Sequence, residues 1–399
     1  MTGPSSSLFA GLRVVDLTRV MSGPFCTAML ADLGANVTKI EMPGFGEESR
    51  HFAPHVNGES TYFALLNRGK RSVTVNLKSA AGVEIVRSLA RKADVLVENF
   101  RPGVMERLGL GQQSLRELNP RLIYTSISGF GQAGPFRDWP AFDLVIQAMS
   151  GLMSLTGEPD GRATAVGESI ADVATGMFAA WGIAAALYDR GRTGQGRYVE
   201  VAMLDSVFSM LLTSLARRLF TDRTPRRVGN RHPETYPVDS FPTRDGDIVL
   251  VAFSDQIFRQ LMNCIGKPEL AEDSRFSTNR DRNEHEAELR EAIWAWTSGV
   301  TQAEALELLR LAGVPAAPVW TLDQLLASGH LQARGAMQDG INAILGRVPL
   351  VPQPVQFSDW SHPAQMRTPT LGEDTEQVLR CDLGMSESTV AELRAAKAI

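Results

Sequence analysis

The chain has 399 residues, 44% of them hydrophobic and 21% charged, with a net charge of −5. That suits a folded protein with a core large enough for two domains, and argues against a nucleic-acid binder while leaving anionic ligands open. Three scattered cysteines (Cys26, Cys264, Cys381) without CxxC spacing, six histidines in no HExxH-type pair and no basic, apolar leader point away from a disulfide framework, a metal site and secretion, so a reduced, cytoplasmic protein is expected.

Residues 11–17 (GLRVVDL) are a β-branched run that predicts a strand. A turn with Gly23-Pro24 follows, and then a helical stretch, FCTAMLADLGA. The next strand, NVTKIE, ends at Glu41 and completes a β–turn–α–β unit, the opening of a parallel α/β sheet. Its turn is not GxGxxG, so a nicotinamide enzyme has little support. After a polar loop marked by Gly and Pro, Arg68, Lys70, Arg71 and Lys78 bracket the strand SVTVNL. These four cations read either as phosphate ligands or as a solvated surface run. A helix (AAGVEIVRSLARKA) and a strand (DVLVENF) form another crossover. Asn99, Arg101 and Arg107 then fall at or beyond a strand's carboxyl end, where open α/β sheets bind ligands. A further strand in LNPRLIYTSISGFG leads to a glycine-rich loop, SGFGQAGPFRDWPAFD.

Residues 168–189 (ESIADVATGMFAAWGIAAALYD) hold one charged residue, Asp172, between charged ends, and are otherwise mostly apolar, loosened by Gly176 and Gly182. The run predicts a buried helix. Only sixteen uncharged residues follow Asp172 before Asp189, short of the roughly twenty that a membrane span needs. Asp is seldom buried without a partner or a use. Asp172 is therefore read as a helix cap accepting backbone N–H bonds, or as a nucleophile or base in a dry pocket, and the two roles are compatible. A turn, a strand (RYVEVA) and one long helix come next. Between Thr221 and about Pro242 the composition turns polar, basic and Pro-rich, marking a domain boundary. A strand (DGDIVLVAF), helices through EAELREAIWAWTSG and QAEALELLRLAG, and a Pro-broken run (VPLVPQPVQF) follow. The last helix has capping-box spacing from Thr389 to Glu392.

The blocks DLTRVMSGPFCTAMLADLGANVTKIE, NRGKRSVTVNLKS, DVLVENFRPGVMERLGL, SISGFGQAGP, IADVATGMFAAWGIAAALYDRGRTGQGRYVEVAMLDS and GNRHP resemble, in order and spacing, family III CoA-transferases, the CaiB/BaiF family that also contains alpha-methylacyl-CoA racemase. The resemblance implies an α/β fold: a Rossmann-like large domain from residues 1–215 and 331–399, with a smaller α+β domain inserted at 216–330, in an interlocked homodimer. It implies CoA thioesters and small carboxylic acids as substrates, with no prosthetic group and no nucleic-acid or membrane partner. The family's nucleophile falls on Asp172, which would pass through an aspartyl acyl anhydride and an aspartyl-CoA thioester. CoA-binding positions fall on Met21, Ser22, Asn76, Leu77, Lys78, Asn99, Phe100, Arg101, Arg107 and Asp143.

The departures from the family pattern divide its branches. Phe142 stands where racemases carry a His base, which points to transfer rather than racemisation, since Phe accepts no proton. Met21 replaces a Gln of the formyl-CoA transferase branch, and LVAFSDQIFRQL lacks that branch's glycine run, pointing away from formyl and oxalyl transfer. Met42 replaces a nucleotide-binding Arg, for which Arg71, Arg101 or Arg107 would compensate. Arg50, His51, His55, Arg231 and His232 are candidates for a substrate's free carboxylate. The expected function is CoA transfer from a donor such as succinyl-CoA, with a racemase or epimerase and a non-catalytic CoA-binding partner as alternatives.

Overall fold

The computed structural model describes residues 7–362 and 366–399. At its centre lies a six-stranded sheet of β1 (Arg13–Asp16), β2 (Asn36–Glu41), β3 (Lys70–Thr74), β4 (Val95–Glu98), β5 (Ile123–Ser128) and β6 (Tyr198–Ala202). The strand order is β3-β2-β1-β4-β5-β6, and every neighbouring pair is parallel. The chain thus winds outward from β1 in one direction and then from β4 in the other. The reversal leaves a crevice outside the carboxyl ends of β1 and β4, because the connections there diverge to opposite sides.

Strands β4 and β5 are buried along their whole length and read as near-continuous apolar or small residues, as a sheet covered on both faces requires. Alternation sorts the rest. Val15 and Leu96 join one core with Ile40, Val73, Ile85 and Leu89, beneath α2 (Ala80–Lys92). Val14 and Val97 join the other, with Leu30 of α1 (Ser22–Asp32). Ala179 and Ile183 of α4 (Ile170–Thr193) belong to that second core. Between β5 and α4 lies the short α3 (Asp143–Met149). Helix α4 is long and apolar enough by composition to cross a bilayer, but here it is a core helix packed on α1, β5 and β6.

Two expectations need correcting. The single long helix after β6 is two, α5 (Met203–Met210) and Leu212–Phe220, because Leu211 leaves helical geometry at ψ 33°. The last helix, Glu387–Ala395, is capped by Ser386, whose hydroxyl accepts the Thr389 N–H. Thr389 therefore lies inside the first turn, not at the cap.

The chain divides into two compact units, Met1–Leu152 with Ala165–Leu215 and Gln332–Ile399, and Met153–Thr164 with Ala216–Leu331. The first holds the parallel sheet and a small sheet of Gln338–Asn342, Gly346–Leu350 and Met366–Arg367. The second has an antiparallel sheet of Val238–Pro242, Asp247–Val251 and Ala316–Pro318, with helices packed around Tyr236, Phe241, Phe258, Leu261 and Ile293.

Candidate active site

Two clefts open at the crevice between β1 and β4. The first, about 300 Å³, is lined by Ser22, Asn99, Phe100, Arg101, Phe142 and Asp172 among others. The second, about 250 Å³, is lined by Met42, Asn76, Leu77 and Lys78. Arg19, Glu48 and Phe100 line both. Seven of the ten CoA-binding positions implied by the resemblance therefore line one cleft or the other. Met21, Arg107 and Asp143 line neither. Met21 is the residue before α1, and Arg107 is an exposed residue whose guanidinium lies over the corner at Gly103.

Asp143 has another task. Its Oδ1 accepts the N–H groups of Ala171 at 2.7 Å and Asp172 at 3.3 Å, and its Oδ2 accepts from the Gln147 amide at 2.6 Å. These are the first-turn amides of α4, whose own N-cap, Ser169, makes no side-chain cap bond. The capping reading of Asp172 is thus answered by a different carboxylate, and that of Asp172 turns to the cleft. Burial raises its pKa first and the neighbouring Asp143 charge adds to it; Ser22 opposes both through its hydroxyl and amide, and the result is about 6. Ser22 opens α1, so the positive end of a second helix faces the same carboxylate.

Asn99 is engaged on both sides of its amide. Its Oδ1 accepts the Arg19 N–H at 2.8 Å and its Nδ2 donates to the Arg19 carbonyl at 2.8 Å. It therefore holds the β1–α1 turn as well as lining the cleft. Asn76 does similar work in the second cleft, donating its backbone N–H to the Ala398 carbonyl at 2.8 Å.

Most of the remaining cations lie elsewhere. Arg68 is buried against Asp32 at 2.6 Å, Lys70 against Asp16 at 2.9 Å, and Arg71 pairs with Asp382 at 2.6 Å. Of the four around β3 only Lys78 reaches a cleft, because the others answer internal carboxylates. Arg71 accordingly does not replace the missing cation at Met42. None of the five candidates for a free carboxylate lines either cleft. Arg50 holds Glu41 through two bonds at 2.6 and 2.7 Å, and His51 bonds the Phe45 carbonyl at 3.0 Å. His55 is exposed on a two-residue strand, Arg231 bonds Asn283, and His232 accepts from the Glu234 N–H.

Sequence reasoning passed over Arg19, Glu48 and Tyr62. Arg19 lies 4.7 Å over the Phe100 ring and bonds Glu48 at 2.7 Å, so an ion pair stands where the clefts meet. The signal was a cation just beyond the first strand. The Tyr62 hydroxyl is pushed up to about 12, by burial first and then by Asp172.

A family model described as CoA-transferase family III matches residues 9–375. The acetyl-CoA:oxalate CoA-transferase of Acetobacter aceti is 43% identical over 89% of this chain and 90% of its own. The succinate–glutarate CoA-transferase of Agrobacterium fabrum is 39% identical over 93% and 94%. The crystal structure of a CaiB/BaiF family protein from Brucella suis superposes with a TM-score of 0.84 at 36% identity, covering 95% of this chain and 100% of that one. With the crevice, its two clefts and Asp172 in place, the chain belongs to CoA-transferase family III and is a CoA-transferase.

Proposed function

We propose that this chain moves CoA from a small dicarboxylyl thioester, succinyl-CoA in the first instance, to a second carboxylic acid, with Asp172 as nucleophile. The observation that carries this reading is a carboxylate on the cleft wall that its own helix does not use, since Asp143 occupies the first-turn amides. Burial makes that carboxylate more basic than usual while leaving it ionised at neutral pH.

In the proposed cycle an Asp172 oxygen attacks the thioester carbonyl, the C–S bond breaks, and CoA leaves as thiolate. The thiolate then attacks the aspartyl carbonyl of the anhydride and releases the donor acid. The acceptor carboxylate attacks the aspartyl-CoA thioester, expelling the thiolate again. Attack of the thiolate on the acceptor's carbonyl forms the new acyl-CoA and restores Asp172. Only a carboxylate can carry CoA in this way, because its thioester retains the donor's activation. Exclusion of water protects both anhydrides. Asn76, Leu77 and Lys78 would hold the nucleotide end, and Ser22, Asn99, Phe100 and Arg101 the thioester end.

The acids named for the two relatives, oxalate and glutarate, belong in the acceptor panel, and the oxalate relative outweighs the departures at Met21 and the missing glycine run. A racemase reading loses support from Phe142, which lines the first cleft without offering a base. A homodimer in the cytoplasm completes the proposal. Exposed Met177, Trp181, Tyr188, Phe208 and Leu212 support it as an apolar face for a second copy to cover.

Mass spectrometry of the intact protein after mixing with succinyl-CoA, with hydroxylamine trapping and an Asp172→Ala control, tests the mechanism. The expected result is an adduct on the peptide holding Asp172, absent from the variant. No adduct with any donor, together with solvent deuterium entering a branched acyl-CoA, would make the chain a racemase.

A further inference from the structure

The turn between β1 and α1 is gripped at successive residues by side chains from other elements. Thr18 bonds Asp16 through its N–H at 2.8 Å and its hydroxyl at 2.5 Å, and its carbonyl accepts from Lys39 Nζ at 2.9 Å. Arg19 is held by Asn99. Val20 stands at φ +67°, a left-handed conformation that a β-branched residue adopts only under constraint. Its N–H is taken by Glu47 Oε2 at 3.0 Å.

Glu47 and Lys39 are themselves buried, 3.4 Å apart. Glu47 also accepts from the Ser49 hydroxyl at 2.6 Å and the Ser49 N–H at 2.8 Å. Burial alone would raise Glu47, but Lys39, Ser49 and the Val20 N–H bring it below the usual carboxylate range. A buried ion pair adds little net stability, so its presence under a strained turn asks for another reason.

That reason lies two residues on. A Cβ on Gly23 would stand 2.4 Å from the Thr18 side chain, and one on Gly176 would stand 2.6 Å from the Ser22 carbonyl. The Gly23 approach closes the turn on Thr18, and the Gly176 approach brings the Ser22 backbone against α4, four residues beyond Asp172. Constraint enters the turn at Val20 and is delivered at Ser22.

We propose that Glu47 is a positioning residue: by holding Val20 in its left-handed conformation it sets how Ser22 meets the Asp172 carboxylate. The inference rests on the reading of Asp172 as nucleophile. The groups that act on Asp172 are Ser22 from α1 and Asp143 from α3, Tyr62 of the helix Thr61–Leu66 feels its charge, and Arg19, Glu48, Arg101 and Arg137 line the same cleft. Of the two immediate neighbours, Ser22 favours the ionised form and Asp143 opposes it. Loosening Ser22 leaves burial and Asp143 unopposed, so the pH below which Asp172 stops reacting must rise.

The test is the pH dependence of adduct formation with succinyl-CoA in the wild-type chain, Glu47→Gln, Ser22→Ala and the double variant. Glu47→Gln is expected to slow adduct formation about fivefold at pH 6 by moving the acid limb upward, while the rate on the plateau at pH 8 changes less than about twofold. The two substitutions should combine with less than additive effect, since both act through Ser22. An unmoved limb, or full additivity, overturns the proposal. Should Glu47→Gln fail to fold, Glu47→Asp serves, because it keeps a charge opposite Lys39 while drawing the carboxylate back from the Val20 N–H. It should still move the limb upward, and an unmoved limb again overturns the role of Glu47. A wild-type chain that forms no adduct with any donor defeats the nucleophile reading itself, whereas a wild-type adduct with unmoved limbs defeats only Glu47.

Discussion

Helix starts in the second unit and at the cleft are built differently. In the second unit several helices bring their own caps: Ser254 for Asp255–Cys264, Thr301 with Glu304 for Gln302–Leu311, and Thr321 with Gln324 for Leu322–Ala327. At the cleft, α1 and α4 have no side-chain cap of their own. Asp143 answers the first turn of α4, Asp172 stands beside Ser22 at the start of α1, and the Asp143 charge makes Asp172 harder to ionise. Self-capped helices are finished locally and serve the fold. Those left open at the cleft make a field in which a carboxylate is held, ionised and near another, at some cost to stability.

The largest effect should come from Asp172→Asn. Transfer is expected to fall by on the order of 10³ or more, read in a coupled acyl-CoA assay. The same variant should be more stable at pH 8. The folded pKa of about 6 lies above the ordinary 3.8, so this group's contribution is fully present below 3.8 and lost as pH rises through 6. Asn never ionises, and thermal unfolding should show a gain of about 3 kcal/mol at pH 8 and none near pH 3.5.

Gly176→Ala sharpens the contrast in another way. Helix propensity alone would stabilise this variant by about 1 kcal/mol, but the added carbon meets the Ser22 carbonyl at 2.6 Å and Phe25 at 3.0 Å. We expect lower Tm and transfer reduced about tenfold as Ser22 shifts from Asp172. Retained activity with a raised Tm would show that α1 and α4 do not touch as closely as described.

Asp143→Asn keeps an acceptor for the α4 amides and removes the charge beside Asp172. The acid limb of adduct formation should move to lower pH, opposite in sign to Glu47→Gln. The smallest functional effect belongs to Thr301→Ala, which breaks a self-capped start: about 1 kcal/mol lost in urea unfolding, with transfer unchanged. A loss of activity there would break the distinction between the two kinds of helix start.

Much of the parallel sheet was legible because its strands are short β-branched runs whose apolar residues need cover on both faces. The order of the strands was not, since periodicity says nothing of neighbours; the expectation of a Rossmann-like layout came from matching blocks. Asp172 stood out as one charge in an apolar helix, yet the cap of that helix came from Asp143, 29 residues earlier in the chain, a tertiary contact that no spacing rule encodes. Gly176 was read as loosening the helix and is in fact where a neighbouring backbone approaches. Arg68, Lys70 and Arg71 read either as phosphate ligands or as a solvated surface run because charge is visible in sequence while its partner, Asp32, Asp16 or Asp382, is distant along the chain.

Of the six tryptophans in the chain, Trp139 is the one on the wall of the first cleft. It is 53% exposed and packs tilted against Phe136, with the ring centroids 4.8 Å apart. An indole in that place is an optical reporter: its emission depends on the water around it, and an acyl group entering the cleft displaces that water. The difference in fluorescence between the wild-type chain and Trp139→Phe therefore isolates a signal for occupancy of the cleft. Arrival of donor, departure of acid and return of acceptor become separable phases on a stopped-flow trace, with no label attached to any of them.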